Sequence, residues 1–304
     1  MVSSWQRRLG AVSQHVAVSD ANSSRRKDGQ QPGMHCENVD KQNISNTGYS
    51  DSQISMLSLE PTRGSAGAQG ELSRELQSIL DHDCPAERAK LKSIMSNDHM
   101  FLPKWNIPME EERELALARL RVLCESGTFS IKDFRTNPLR IFAAHECAAL
   151  ADVSMATKMT VQFNLFGGTV LKLGTKKHHD LLLAGIDSLS DVGCFGLTEL
   201  GFGNNAVCME TVATYDKERD EFVIQSTTPL AQKYWITNGA IHAHWAVVFA
   251  QMMVDGTNHG IHGFLVPIRD HRSMLPKPGV TIHDMGHKMG CNGVDNAKLS
   301  FQGT

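Results

Sequence analysis

Apolar residues recur at three- and four-residue spacing from about residue 72 to 190, then mostly at two-residue spacing after Asp191, so the chain reads as helices followed by strands. Leu72–Asp83 and Ala86–Ser96 predict two short helices parted by Cys84-Pro85. Beyond the Pro103- and Trp105-containing connector, a longer helix is predicted, with Asn106 as N-cap, Pro108 in the first turn and Gly127 closing it. Leu115, Leu117, Leu120, Val122 and Leu123 supply its apolar residues. Glu110, Glu111 and Glu112 read as a solvated start, while Arg119 and Arg121 suit the negative end of the helix dipole. Further helices are predicted from Asn137-Pro138 through Ala151, from a Ser154 cap to about Phe166, and from a Thr175 cap over Lys176–Ile186. Gly167-Gly168 between them either break the helix or mark close packing.

Strands are predicted at Met209–Tyr215, Glu221–Gln225, Lys233–Ile236, Trp245–Val254, Ile261–Pro267, Val280–His283 and Ala297–Phe301. Turn-formers such as Asp255-Gly256 and Pro278-Gly279 separate some of them. This spacing favours an antiparallel sheet or open barrel over βαβ units. The expected fold class is therefore α+β, with a helical domain over 71–190 and a β-domain over 191–304.

Composition changes the picture only at the amino end. Residues 1–70 are rich in Ser, Asn, Gln and Gly with few large apolar residues, which reads as a disordered leader. Met1–Ser19 contain no Asp or Glu but carry Arg7 and Arg8, as transit segments do. Arg8-Leu9 and His15-Val16, five residues apart, resemble the amino-terminal peroxisomal targeting nonapeptide, with Val16 departing from its usual last residue. A peroxisome is the expected location, a mitochondrion the alternative. A net charge of −3 without a basic stripe argues against nucleic acid as a partner. Seven scattered cysteines fit reduced thiols better than a disulfide framework. No apolar run approaches the ~20 residues of a membrane-spanning helix.

Two loops carry the candidate chemistry. Gly193–Asn205 breaks from an apolar strand into a glycine-rich polar loop, and Lys233–Gly239 ends in a loop of the same kind. Each offers one threonine, Thr198 or Thr237, and the second adds Trp235; together they can hold a flat, polar-edged, electron-accepting ring. Gly201-Phe202-Gly203-Asn204-Asn205-Ala206 also matches the dinucleotide fingerprint, but a strand-like stretch follows where that site requires a helix. The groupings His178-His179, His242/His244 and His283/His287 lack partners at familiar ligand spacing, so no metal is expected.

From about residue 110 onward the chain resembles acyl-CoA oxidases of the acyl-CoA dehydrogenase superfamily. The resemblance rests on Leu173–His178, Thr198–Asn205, Glu210–Asp216 and Gly286–Asn296. It implies a helical N-terminal domain, a central β-domain and a C-terminal helical bundle, which this chain would lack, ending at Thr304 before the family's catalytic glutamate. It further implies FAD as cofactor, held by Phe195, Leu197, Thr198, Gly201, Gly203, Trp235, Ile236 and Thr237. Asn204 would face the thioester and CoA arm, while Glu199 is not the base. The implied reaction is α,β-dehydrogenation of an acyl-CoA to the trans-2-enoyl-CoA, with O2 reduced to H2O2, in fatty acid β-oxidation by a homodimer. Ile236-Thr237-Asn238-Gly239 reads like the dehydrogenase branch, which stays open beside a non-catalytic flavin- or partner-binding remnant. Weak FAD binding is expected of these 304 residues alone.

Overall fold

Helix formation begins earlier than the apolar pattern suggested. The computed structural model describes residues 66–304, and α1 spans Ala66–Leu80, starting inside the stretch read as leader. The targeting nonapeptide lies outside the described residues. Cys84 adopts φ 47 and Pro85 opens α2 (Pro85–Asn97), so a left-handed residue and a proline make the corner. The long helix α3 (Met109–Glu125) starts after Pro108, later than an Asn106 cap would have placed it. A single turn, α4 (Asp133–Thr136), leads to α5 (Pro138–Ala151), whose limits follow the Asn137-Pro138 signal.

Asp152, not Ser154, caps α6 (Val153–Met159), its carboxylate accepting the Ser154 and Met155 N–H groups. A π-helical stretch, Thr160–Gly167, follows without a break, and Gly167-Gly168 continue into α7 (Gly168–Leu173). The glycines pack closely: a Cβ on Gly167 would lie 2.7 Å from Ile131. Thr175 and His178 form a capping box for α8 (Lys176–Ser188). Arg119 does not serve the helix dipole. It is buried, donating to the Met100 and Leu102 carbonyls and to Asp152.

The strands are β1 (Gly193–Gly196), β2 (Thr211–Asp216), β3 (Glu221–Ser226), β4 (Lys233–Thr237), β5 (Trp245–Val254), β6 (Thr257–Pro267), β7 (Val280–Asp284) and β8 (Asn296–Phe301). They form one five-stranded and one three-stranded sheet, the latter in order β4-β8-β7. Most pairings are antiparallel, but β5 runs parallel to β1 over residues 245–248 and to β2 over 251–253. Its other edge carries β6, antiparallel along nearly its full length. The sheets are therefore mixed rather than purely antiparallel.

Two hydrophobic cores result. Leu120, Leu123, Ile141, Met155, Phe163, Phe166 and Ile186 fill the helical one, which Val247 enters from β5. Cys194, Ile224, Ile236, Val248, Leu299 and Phe301 fill the one between the sheets. β1 crosses against the π-helical stretch, where a Cβ on Gly193 would sit 2.1 Å from the Phe166 ring. That contact brings β1, and the loop after it, against the helices.

Candidate functional site

The loop after β1 and strand β4 are bound together before any ligand is considered. The Tyr234 N–H donates to the Thr198 carbonyl at 2.9 Å, and the Thr198 hydroxyl donates to the Tyr234 carbonyl at 2.7 Å. Beneath them Lys233 is fully buried, donating to Glu199 at 2.8 Å and to the Leu197 carbonyl at 3.3 Å. The Glu199 carboxylate also accepts from the Thr211 hydroxyl and N–H and from the Glu210 N–H. Burial alone would raise the Glu199 carboxyl, yet Lys233 and these donors hold it below the usual range. Glu199 is thus an ionised group whose oxygens already accept from Lys233 and these donors.

A bulge in the β4–β8 ladder between Lys233 and Ile236 turns Trp235 outward at φ 64, with 53% of its surface exposed. Thr237 follows, its hydroxyl oxygen accepting from the Asn296 side chain at 3.1 Å. Together these segments line a cleft of about 470 Å³. Of the nine residues assigned from sequence, Phe195, Leu197, Thr198, Gly203, Asn204, Trp235, Ile236 and Thr237 meet there, and Gly201 does not. Gly201 lies instead against the Pro229–Ala231 turn, where a Cβ would come 2.7 Å from Leu230.

The sequence reading missed Val161 and Leu165, which line the cleft from the π-helical stretch, and Tyr234. The i, i+4 spacing of Val161 and Leu165 was visible, but nothing marked that face as a wall rather than core. Trp235 and Thr237 also border a second cleft of about 460 Å³, shared with Thr157, His287, Lys288 and Cys291. After the glycine loop comes a single 3₁₀ turn, Ala206–Cys208, and then β2. The helix that a dinucleotide fingerprint needs is not at that place.

The donor and acceptor pattern of the two threonines is complementary. Thr198 spends its hydroxyl proton on Tyr234, leaving its oxygen as acceptor, while Thr237 already accepts from Asn296 and keeps its proton to donate. Apolar faces beside one donor and one acceptor suit the rim of a heteroaromatic ring.

Residues 194–304 match the acyl-CoA dehydrogenase middle domain. The chain is 37% identical over 242 residues to acyl-coenzyme A oxidase 3, peroxisomal, of Arabidopsis thaliana, covering 75% of this chain and 36% of that protein. The crystal structure of acyl-CoA oxidase 3 from Yarrowia lipolytica aligns with a TM-score of 0.66 at 28% identity, covering 76% of this chain and 33% of the other. Acyl-CoA oxidase-1 of Caenorhabditis elegans, complexed with FAD and ATP, aligns with a TM-score of 0.60 at 28% identity, covering 71% of this chain and 33% of that one. Over its N-terminal and central portion the chain is similar to acyl-CoA oxidases. It spans about a third of the length of the relatives it matches.

Proposed function

We propose that this chain forms the flavin- and thioester-facing half of an FAD-dependent acyl-CoA oxidase. The observation that carries the reading is the convergence of Thr198, Trp235 and Thr237, from two loops 36 residues apart, on one cleft. When bound, FAD supplies the two-electron acceptor for α,β-dehydrogenation of an acyl-CoA, and O2 then takes those electrons to give H2O2. Thr198 and Thr237 offer hydrogen bonds to the polar rim of the ring, Phe195, Leu197 and Ile236 give it an apolar bed, and Trp235 flanks it. Gly203, at φ 53, lets the loop turn beside Asn204, which we assign to the thioester and CoA arm. Because the Glu199 oxygens are already occupied, this cleft lining holds and orients but does not take the proton. We further infer a helical unit over 71–190 and a β-unit over 191–304, and a homodimeric assembly.

The test is a flavin titration of the purified chain, read by flavin fluorescence and visible absorption. Binding is expected, weakened at least tenfold by Thr198→Val or Thr237→Val. Equal affinity in both variants, or no binding by the parent chain, overturns the assignment of the cradle. Peroxide release from acyl-CoA by a longer polypeptide carrying this sequence tests the oxidase chemistry, and electron transfer to an acceptor dye without peroxide favours the dehydrogenase branch. The relatives named peroxisomal and the Arg8–Val16 pattern support a peroxisomal location. Residues 1–20 fused to a fluorescent protein test the targeting signal, and diffuse or mitochondrial fluorescence would count against it.

A further inference from the structure

Lys158, near the end of α6, has a side chain only 1% exposed and lies outside both the cleft lining and the Glu199–Lys233 pair. Its ammonium has three N–H donors and meets three acceptors: the Asp295 carboxylate, His242 Nδ1 at 3.0 Å and the Asn238 side-chain oxygen at 3.4 Å. The other Asp295 oxygen accepts the N–H groups of Ile241 at 2.8 Å and His242 at 3.1 Å, which fixes the turn after β4. Burial would raise the Asp295 carboxyl, but the Lys158 charge outweighs it and holds it far below the usual range. Since His242 Nδ1 faces an ammonium it accepts, and Nε2 carries the proton donated to Glu114 at 2.9 Å.

The Asn238 and Asp295 arms of this cluster lead to one wall of the cleft, and Lys158 itself leads to the other. Asn238 adopts φ 65, and its amide nitrogen donates to the Lys158 and Gly193 carbonyls, both at 3.4 Å. It immediately follows Thr237. Asn296, next to Asp295, donates to the Thr237 hydroxyl. On the other side Lys158 precedes Val161 by one turn, and Val161 and Leu165 form the helical wall. The same buried charges therefore reach the segment bearing Trp235 and Thr237 and the helix opposite it.

A buried ion pair adds little net stability, because desolvation of both charges offsets most of their attraction. What it supplies over apolar packing is direction: three bonds from one ammonium tie α6 to the turn after β4 and to the residue before β8 at defined angles. We propose that Lys158, Asp295 and Asn238 are positioning residues that hold the Trp235–Thr237 segment against the helical wall, so that the cradle is set before its ligand arrives. This rests on the flavin reading for its ligand, but not for its geometry.

The test uses the full chain labelled with 5-fluorotryptophan, whose Trp235 resonance is assigned through Trp235→Phe. The paired replacement Lys158→Met with Asp295→Asn removes both charges. Asn238→Gly removes one arm while suiting the left-handed backbone, and so keeps the test open if the paired variant does not fold. In the absence of ligand, each folded variant is expected to shift or broaden the Trp235 fluorine signal and leave that of Trp105, which is 81% exposed, unchanged. FAD affinity is expected to fall at least tenfold with thermal stability little changed. An unmoved Trp235 signal in Asn238→Gly, or unchanged FAD affinity despite a moved signal, overturns the proposal. If the parent chain binds no FAD at all, the flavin reading fails, while the fluorine spectra still decide whether the cluster positions the segment.

Discussion

Trp235 holds a left-handed backbone conformation that a non-glycine residue adopts at a cost of about 1–3 kcal/mol, and it gains little burial in return. Such strain fits a side chain kept for what it touches rather than for packing. Trp235→Gly should therefore leave the melting temperature unchanged or raise it, while weakening FAD binding at least tenfold; parallel loss of stability and binding would show that the indole is structural. Chemical reactivity divides the cysteines as sharply. Burial pushes the Cys194 thiol up to about 12, whereas Cys208 and Cys291 are exposed. Mass spectrometry after brief iodoacetamide treatment should find Cys208 and Cys291 modified in the native protein, and Cys194 modified only after unfolding. Early labelling of Cys194 would mean that the edge of β1 opens readily.

Among the elements, α6 depends on a residue outside it. Asp152 caps its first turn and also pairs with the buried Arg119, so one carboxylate joins α3 to α6. Asp152→Ala should cost about 2–4 kcal/mol in urea unfolding, from a lost cap and a buried guanidinium with one partner fewer. A loss below about 1 kcal/mol would show the cap to be replaceable. Elements announced by local chemistry were legible in the sequence: Asn137-Pro138 opens α5, a nearly continuous apolar run delimits β5, and the paired threonine loops point to the cleft. The π-helical stretch was not legible, because Val161, Phe163, Leu165 and Phe166 are apolar on several faces and blur any period. Strand direction was equally hidden. The apolar run of β5 marks a strand covered on both faces but does not say that β1 and β2 are the neighbours running parallel to it. The Lys158–Asp295 contact spans 137 residues, beyond the reach of any spacing rule.

For the described molecule, polar ties cross the seam between the two cores. Arg113 on α3, its side chain 2% exposed, forms a two-pronged pair with Asp284 at the end of β7, at 2.5 and 2.9 Å. Beside it Glu112 accepts the Gly293 N–H at 2.8 Å, so this glutamate is a tie across the seam rather than part of a purely solvated helix start. The Arg113 hydrogen bonds hold the Asp284 carboxyl below its ordinary range. A carboxyl with a lowered folded-state pKa stabilises the fold fully above the unfolded value of about 3.9, and that contribution is lost as pH falls through the lower folded value. Between pH 7 and 5 this pair should therefore contribute a constant amount. Asp284→Asn should lower stability there by about 1–2 kcal/mol, less than for a fully buried pair because Asp284 is 39% exposed. The gap between parent and variant should narrow only below about pH 4. Melting temperatures of both proteins from pH 7 to 3 give the answer. A gap already closing between pH 7 and 5 would mean that the Arg113–Asp284 pair is not what the variant reads out.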